Sequence, residues 1–336
     1  MVKKSSWLWP FLIISGIFIF LIYFPNDDCD CIKSVVNIES PHNFFEMKFK
    51  KIDSINVADG RFPRMLEYIP QSGRIDTTRK FPFILYIHGY GALGNRTMKG
   101  ICRILYDGTS FDGASLPAYL ERGIVPVVHK NSKEEEFIIL SPQYDDYSFP
   151  VNFPDADDVE EFINYALKKY PQIDSTRMYM TGISAGANMV LEYIASSEER
   201  AGRLAAAGIS SLCSYRFTDW NKEHGILAEN IAKAQLPVWF IQSIEDDKDC
   251  PPKIPEEWVE GIIEHGGYPP RLTLLHSSND LDPAYKTVRF KHNTWFRLYD
   301  PNFADTPNVY DWFLSHERIP DQVKFNENSK PGQLGH

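Results

Sequence analysis

The 336-residue chain has no cluster of basic residues, no internal repeat and no low-complexity block. Its formal net charge is −10, and its lysines and arginines are scattered along the sequence. Because a general nucleic-acid binder replaces the counterions around phosphates with its own cations, this composition argues against nucleic acid as a partner. The length suits one large α/β domain, or two small ones, with a sizeable buried core.

Cysteine is scarce and odd in number, with five residues at Cys29, Cys31, Cys102, Cys213 and Cys250. If the chain is exported, one or two disulfides are expected, but the sequence does not reveal their pairing. The Cys29-x-Cys31 spacing is not that of a zinc knuckle, and no further His or Cys lies close to it. We therefore predict no metal site there.

The N-terminal thirty residues differ from the rest. Lys3 and Lys4 precede an uncharged apolar run at 7–24, which is long enough to cross a bilayer and whose leading lysines favour an inside N-terminus. No small-x-small cleavage site follows the run, which favours an uncleaved signal anchor over a cleaved signal peptide. The predicted organisation is a membrane anchor at 1–31, a stalk at 32–43, an exported domain at 44–317 and a polar tail at 318–336. If the N-terminal segment is cleaved, the domain is secreted.

Short apolar runs alternate with helix-like runs along the remaining sequence. Strands are predicted at 44–50, 65–69, 83–87, 137–141, in the run that begins at Arg177, and at 204–209, 237–241 and 271–275. Helices are predicted at 115–123, at 155–170 with Asp155 as N-cap, after Ser184, and at 256–265 and 308–316. This alternation predicts an α/β fold with a mostly parallel eight-stranded sheet covered by helices on both faces.

Residues 177–194 combine a strand, the turn Gly-Ile-Ser-Ala-Gly and a helix. This layout is typical of a nucleophile elbow, in which a tight turn lifts the hydroxyl of Ser184 above the end of a parallel sheet. Gly182 and Gly186 flank the serine, where the absence of Cβ lets the strand and the helix crowd together. Because glycine and serine are common in ordinary turns, the pentapeptide alone does not establish a catalytic serine.

A second glycine-rich turn, His88-Gly89-Tyr90-Gly91, ends the buried strand FILYI. Glycines such as Gly89 let the main chain approach a substrate oxygen. The backbone N–H groups of Tyr90 and of Ala185, which follows the serine, are therefore predicted to form an oxyanion hole. His88 is predicted to orient this loop rather than to act as a base.

A serine hydroxyl needs a histidine to accept its proton and a carboxylate to hold that histidine. In the order serine, acid, histidine, the acid follows a late buried strand. The strand PVWFI leads into four carboxylates, of which at most one is the acid: Glu245, Asp246, Asp247 and Asp249. A solvated acidic loop or a calcium site is the alternative interpretation of this run. Six histidines follow Ser184: His224, His265, His276, His292, His316 and His336.

Residues 64–314 resemble the esterase branch of the α/β-hydrolases that includes feruloyl esterases, polyhydroxybutyrate depolymerase-like proteins and bacterial phospholipase/carboxylesterases or predicted peptidases. The similar segments are FPFILYIHGYG, FIILSPQ, IDSTRMYMTGISAGA, PVWFIQSIEDD and HNTWFRLYDPNFADTPNVYDWFLSH. The family's pattern around its catalytic histidine and closing helix is matched by His292, Trp295, Tyr299, Tyr310, Asp311 and Trp312.

The resemblance implies that His292 is the general base and Asp246 the acid, with Asp247 as the reserve. Two departures accompany it: Gln242 and Ser243 stand where the family has His-Gly, and Ala187 stands where it often has a second glycine. The implied activity is ester hydrolysis through an acyl-enzyme, on acyl or feruloyl groups of polysaccharides or on other esters. It requires no metal or organic cofactor. A serine peptidase of related fold and a catalytically inactive, membrane-tethered binding module are the alternatives.

Overall fold

The structure, a computed structural model, describes residues 64–94, 103–106, 114–121, 123–126, 128–130, 133–144, 154–214, 220–246, 248–276, 291–301 and 307–318. The predicted anchor, the stalk, the strand at 44–50 and all but the first residue of the C-terminal tail lie outside these residues. Within the described residues, no helix has both the length and the apolar character needed to cross a bilayer.

Seven strands of the described chain form one sheet in the spatial order β1-β5-β2-β6-β7-β8-β9. The strand β1 at its edge runs antiparallel to β5, and all other neighbours are parallel. Their bounds are β1 Arg64–Tyr68, β2 Phe81–Ile87, β5 Ile138–Gln143, β6 Ile173–Ile183, β7 Ala206–Ser210, β8 Val238–Ser243 and β9 Arg271–Leu275. The predicted strands from residue 65 onwards are therefore all present, with β6 at the centre.

Helices separate most of these strands along the chain. They are α1 Gln71–Ile75, α2 Arg103–Tyr106, α3 Leu116–Glu121, α4 Ala156–Lys169, α5 Ala185–Ser196, α6 Glu198–Gly202, α7 Trp220–Lys233, α8 Lys253–Glu264, α9 Trp295–Tyr299 and α10 Val309–Leu314. Asp155 caps α4 as predicted, since its carboxylate accepts hydrogen bonds from the N–H groups of Asp157 and Asp158. A two-stranded hairpin, β3 Val128–Lys130 and β4 Lys133–Glu135, was not predicted from the sequence.

The core lies on both faces of the sheet, as the alternation of side chains along β2 shows. All seven residues of β2 are buried. Phe83 and Leu85 pack on one face with apolar residues of α4, α5 and α8, whereas Ile84 and Tyr86 pack on the other with those of α3, α9 and α10. Successive side chains of a strand point to opposite faces, so a strand covered on both sides must be apolar throughout. This is why β2 reads as a continuous hydrophobic run.

Candidate active site

Ser184 lies in the turn between β6 and α5 with a backbone φ of 52° and ψ of −121°. A non-glycine residue in this region is strained, and such strain persists only where the surrounding structure enforces it. The Ser184 N–H donates to the carbonyl of Ser210 at the end of β7, at 3.0 Å. The neighbouring strand thus holds the serine at the carboxyl edge of the sheet, as the elbow pattern predicts.

The two glycines of the elbow have no room for a side chain. A Cβ at Gly182 would lie 2.4 Å from the carbonyl oxygen of Gly186. A Cβ at Gly186 would lie 2.3 Å from the carbonyl oxygen of Ile87 and 2.6 Å from that of His88. The end of β2 therefore packs directly against the first turn of α5, which brings the predicted oxyanion loop and Ser184 into one site.

The structure brings the predicted serine, histidine and acid into one hydrogen-bonded series. His292 Nε2 lies 2.9 Å from Ser184 Oγ, and His292 Nδ1 lies 2.8 Å from Asp246 Oδ2. Because an ionised carboxylate only accepts hydrogen bonds, Nδ1 carries the proton and Nε2 is left to accept from the serine hydroxyl. The Asp246 side chain is 1% exposed and that of His292 is 25% exposed, so the carboxylate lies beneath an imidazole that solvent can reach.

The loop at 244–250 that follows β8 is called the acid loop here. Its other carboxylates are placed differently. Glu245 pairs with Lys291 at 3.8 Å, and Asp249 uses its carbonyl to accept from the N–H and the hydroxyl of Ser214. Asp247 lies outside the described residues. Among the described candidates, Asp246 is the one whose carboxylate reaches His292.

A cluster of hydroxyl groups that no sequence pattern indicates fixes the backbone at His292. Ser211 donates to the carbonyl of His292, and its Oγ lies 2.7 Å from Thr294 Oγ1. Ser210 Oγ also lies 2.8 Å from Thr294 Oγ1. Ser211 has a φ of 56°, so two of the three described non-glycine residues with positive φ lie here: Ser184 belongs to the hydrogen-bonded series and Ser211 adjoins it. The end of β7 therefore positions both the serine and the histidine loop.

The residues that match the family's histidine pattern also have structural roles. Trp295 stands edge-on to the imidazole of His292, with ring centroids 5.7 Å apart. The Tyr299 hydroxyl lies 2.8 Å from Thr181 Oγ1 in β6, and the Tyr310 hydroxyl donates to the Tyr299 carbonyl at 2.8 Å. These contacts tie α9 and α10, which follow the histidine, to the strand that carries the serine.

His88 is fully buried at the first position of the predicted oxyanion loop, and none of its hydrogen bonds within the described residues reaches Ser184, His292 or Asp246. Its Nδ1 lies 2.7 Å from the Gly89 carbonyl, and its Nε2 accepts from the Tyr144 N–H at 3.3 Å. The Tyr144 ring stacks on the imidazole with centroids 3.9 Å apart. Burial lowers the pKa of His88 to about 3, so the ring is neutral and donates to the loop through Nδ1. This arrangement agrees with the predicted role of orienting the loop.

The burial of His88 makes stability depend on pH. Because its pKa is about 3 in the folded chain and 6.5 in the unfolded chain, the unfolded state binds its proton first as pH falls. The free energy of unfolding should therefore drop by about 2 kcal/mol between about pH 7 and about pH 5 from this group alone. Urea unfolding of the wild type and of His88→Gln, whose amide does not titrate, measures the difference. Equal pH slopes in the two proteins would contradict the prediction.

That the N–H groups of Tyr90 and Ala185 form an oxyanion hole stays a prediction. Tyr90 begins a short 3-10 turn at the end of the loop, and Ala185 is the first residue of α5, where backbone N–H groups have no acceptor within the helix. The amide of Gln143 at the end of β5 donates to the Ala92 carbonyl at 2.9 Å and holds the turn from the other side.

The topology and the site together identify the architecture. The sheet is parallel except at one edge, its central strand leads into the elbow, and serine, acid and histidine follow β6, β8 and β9 in that chain order. The chain has the α/β-hydrolase fold. The described part contains seven strands of the sheet, and the eighth predicted strand, at 44–50, lies outside it.

Neither a protein-family model nor a curated protein matches the chain. Among solved structures it is similar to a thermostable esterase, with 20% identity, a TM-score of 0.49 and coverage of 76% of this chain and 59% of the esterase. It is similar to the acylaminoacyl peptidase of Pyrococcus horikoshii, with 16% identity, a TM-score of 0.46 and coverage of 76% and 40%. A carboxylesterase from Lactobacillus plantarum has 15% identity, a TM-score of 0.41 and coverage of 63% and 78%.

A disulfide between Cys213 and Cys250 lies beside the site of this hydrolase fold. The two sulfurs and a ring nitrogen of His292 lie within 4.8 Å of one another, which makes them the one group in the described chain close enough to hold a metal ion. The sulfurs are bonded to each other, however, so neither offers the thiolate that a soft metal requires. The other three cysteines, Cys29, Cys31 and Cys102, lie outside the described residues.

Proposed function

We propose that the chain is a serine hydrolase that cleaves carboxylic esters. The observation that carries this proposal is the series Ser184, His292 and Asp246, joined at 2.9 and 2.8 Å above the carboxyl ends of parallel strands. The reaction class follows from the chemistry of the groups: a hydroxyl nucleophile, a neutral imidazole that accepts its proton, and a buried carboxylate that stabilises the resulting imidazolium.

The proposed reaction has two steps. His292 Nε2 takes the proton of Ser184 as the oxygen attacks the ester carbonyl, and the N–H groups of Tyr90 and Ala185 hold the oxyanion. The imidazolium then protonates the departing alcohol and leaves an acyl-enzyme. In the second step His292 takes a proton from water, the hydroxide attacks the acyl carbonyl, and the proton returns to Ser184 as the carboxylic acid leaves.

A fluorophosphonate probe tests the proposal, because it phosphonylates an activated serine and spares ordinary hydroxyls. The folded protein should take up one probe per chain, at Ser184 by peptide mass mapping, and should lose p-nitrophenyl acetate hydrolysis in proportion to labelling. Heat-denatured protein is the control and should not react. Folded protein that neither labels nor hydrolyses the ester would instead be the inactive binding module.

The choice of acid is tested by a matched pair of variants. Asp246→Asn should lower kcat for p-nitrophenyl acetate by about 10³-fold or more, because an amide that donates to Nδ1 favours the wrong tautomer of His292. Asp249→Asn changes a neighbouring carboxyl group whose residue contacts Ser214 through its backbone, and should leave kcat within about threefold. A large loss in Asp249→Asn with none in Asp246→Asn would reverse the assignment.

Esters are proposed over peptides because of the sequence resemblance, and acyl or feruloyl groups on polysaccharides are the proposed natural class. A panel of p-nitrophenyl esters of increasing chain length, acetylated xylan, feruloylated sugars and short peptides tests both points. Turnover of esters without turnover of peptides supports the esterase. Peptide cleavage at comparable kcat/KM supports the related peptidase.

An exported, membrane-anchored location is the accompanying proposal. The Cys213–Cys250 disulfide supports it, because structural disulfides form and persist in oxidising compartments and are rare in the cytosol. The uncharged run at 7–24 behind Lys3 and Lys4 supplies the proposed anchor. Protease added to intact cells should digest the domain if it faces outward, and digestion only after lysis would contradict this orientation.

A further inference from the structure

The loop that carries Asp246 is held at both ends by groups that the reaction does not use. It leaves β8 at Gln242 and Ser243, and it ends at Cys250, which is bonded to Cys213 in the loop after β7. The Ser214 N–H and hydroxyl both donate to the Asp249 carbonyl, at 2.8 and 3.0 Å. The acid loop is thus attached to the neighbouring loop by one covalent bond and two hydrogen bonds.

Gln242 joins these two loops to the carboxylate itself. Its side chain is buried, and its Nε2 donates to the Cys250 carbonyl at 2.6 Å and lies 3.3 Å from both Asp246 Oδ2 and the Leu212 carbonyl. Its Oε1 accepts from the Leu212 N–H at 2.8 Å. One amide therefore contacts the acid, the residue next to Cys213 and the carbonyl of Cys250.

Cys213, at the other end of the disulfide, is hydrogen-bonded to α5, the helix that follows Ser184. Asn188, one turn after Ser184 in α5, donates to the Cys213 carbonyl at 2.6 Å and accepts from the Cys213 N–H at 3.1 Å. The path from Ser184 through α5, Asn188, the disulfide, Gln242, Asp246 and His292 closes on Ser184 again. Serine and acid are thereby fixed to each other by a route that does not pass through the histidine.

We propose that Gln242 and the Cys213–Cys250 disulfide together form the positioning unit that holds Asp246 against His292. The inference rests on the proposed function, since it assigns to these residues the alignment of the acid in that triad. Without the unit the acid loop keeps its attachment to β8 and its two bonds from Ser214, but the carboxylate loses its amide donor and the loop its covalent tether. A looser carboxylate holds the imidazole less firmly in the orientation that serves Ser184.

The Gln242 half of the unit is tested by Gln242→Met, which has similar length and no amide. We expect kcat for p-nitrophenyl acetate to fall about tenfold, the size of one lost hydrogen bond to a charged group, with KM changed less than about twofold. The downfield proton resonance of the His292 Nδ1–H, which reports its bond to Asp246 without substrate, should broaden or disappear. Gln235→Met, in the loop after α7, is the control: it removes bonds to the Ala232 carbonyl at the end of α7 and to the Gly266 carbonyl after α8, and should change neither readout.

The disulfide half is tested by Cys213→Ala/Cys250→Ala and by a dithiol reductant acting on the wild type. Both should weaken the same resonance and lower kcat about tenfold, and the reductant should have no further effect on the double variant. If one variant fails to fold, reduction of the folded wild type and Gln242→Leu, which removes the amide donor without adding a charge, still decide the question.

The outcomes separate this inference from the proposed function. Variants that lose thermal stability but keep the resonance and kcat of the wild type would overturn the positioning role and leave a structural one. A wild-type protein that shows the resonance, loses it in Gln242→Met and hydrolyses no ester would retain the positioning unit and refute the proposed activity.

Discussion

Ser184→Ala should lower kcat for p-nitrophenyl acetate by about 10⁴-fold or more while the protein stays folded. In the proposed mechanism the serine oxygen is the nucleophile that forms the acyl-enzyme, and no other described hydroxyl lies within hydrogen-bond distance of His292 Nε2. Its removal leaves only the rate that the oxyanion donors and substrate binding provide. Steady-state kinetics and fluorophosphonate labelling measure the loss, and circular dichroism checks the fold.

The non-additivity of two substitutions makes this test specific to a triad. His292→Ala should cost about as much as Ser184→Ala, and the double variant should be no slower than either single one, because the two groups act as a unit. Ser196→Ala, at the opposite end of α5, is the matched control and should retain the wild-type rate. Wild-type-like hydrolysis in Ser184→Ala, or losses that multiply in the double variant, would refute the shared role.

The strands of the sheet were predictable because burial on both faces demands uninterrupted apolar residues. The carboxyl ends of β5 and β8 were not. β5 continues to Gln143 and β8 to Ser243, where the sequence becomes polar while the backbone ladder goes on. Gln143 and Gln242 are buried there because their amides find backbone partners in neighbouring loops. Single-sequence patterns assign such residues to loops, since the partners come from other parts of the chain.

Some residues of the site are likewise indicated by a local sequence pattern, whereas others depend on contacts between distant parts of the chain. The elbow at Ser184 is a local pattern of strand, turn and helix, so the sequence indicates it directly. The choice of His292 and Asp246 came from a resemblance, because nothing local distinguishes them from neighbouring histidines and carboxylates. The disulfide and the hydroxyl of Ser211 join segments that meet only because β7 and β8 are adjacent in the sheet. No spacing rule predicts contacts of that kind.

Of the methyl groups that could be added to the glycines of the elbow, the one introduced by Gly186→Ala should be the most disruptive. The new Cβ would lie 2.3 and 2.6 Å from two carbonyl oxygens, those of Ile87 and His88, and backbone atoms cannot rotate aside as a side chain would. Relief requires the end of β2 and the predicted oxyanion loop to move away from α5. We expect a loss of about 3 kcal/mol or more in the free energy of unfolding. Any folded fraction should lose about 100-fold in kcat, as for a displaced oxyanion donor.

Gly202→Ala is the control, because it adds the same methyl group at a glycine with open space around it. Gly202, at the end of the short helix α6, has no atom within 4 Å of an added Cβ, so Gly202→Ala should be neutral or stabilise by up to about 1 kcal/mol. Urea unfolding and ester kinetics on both variants distinguish the general effect of replacing glycine by alanine from a steric clash at the elbow. If Gly186→Ala unfolds and hydrolyses like the wild type, β2 and α5 are not in the tight contact described. The oxyanion loop would then lose its structural link to Ser184, and Tyr90 its place in the proposed mechanism.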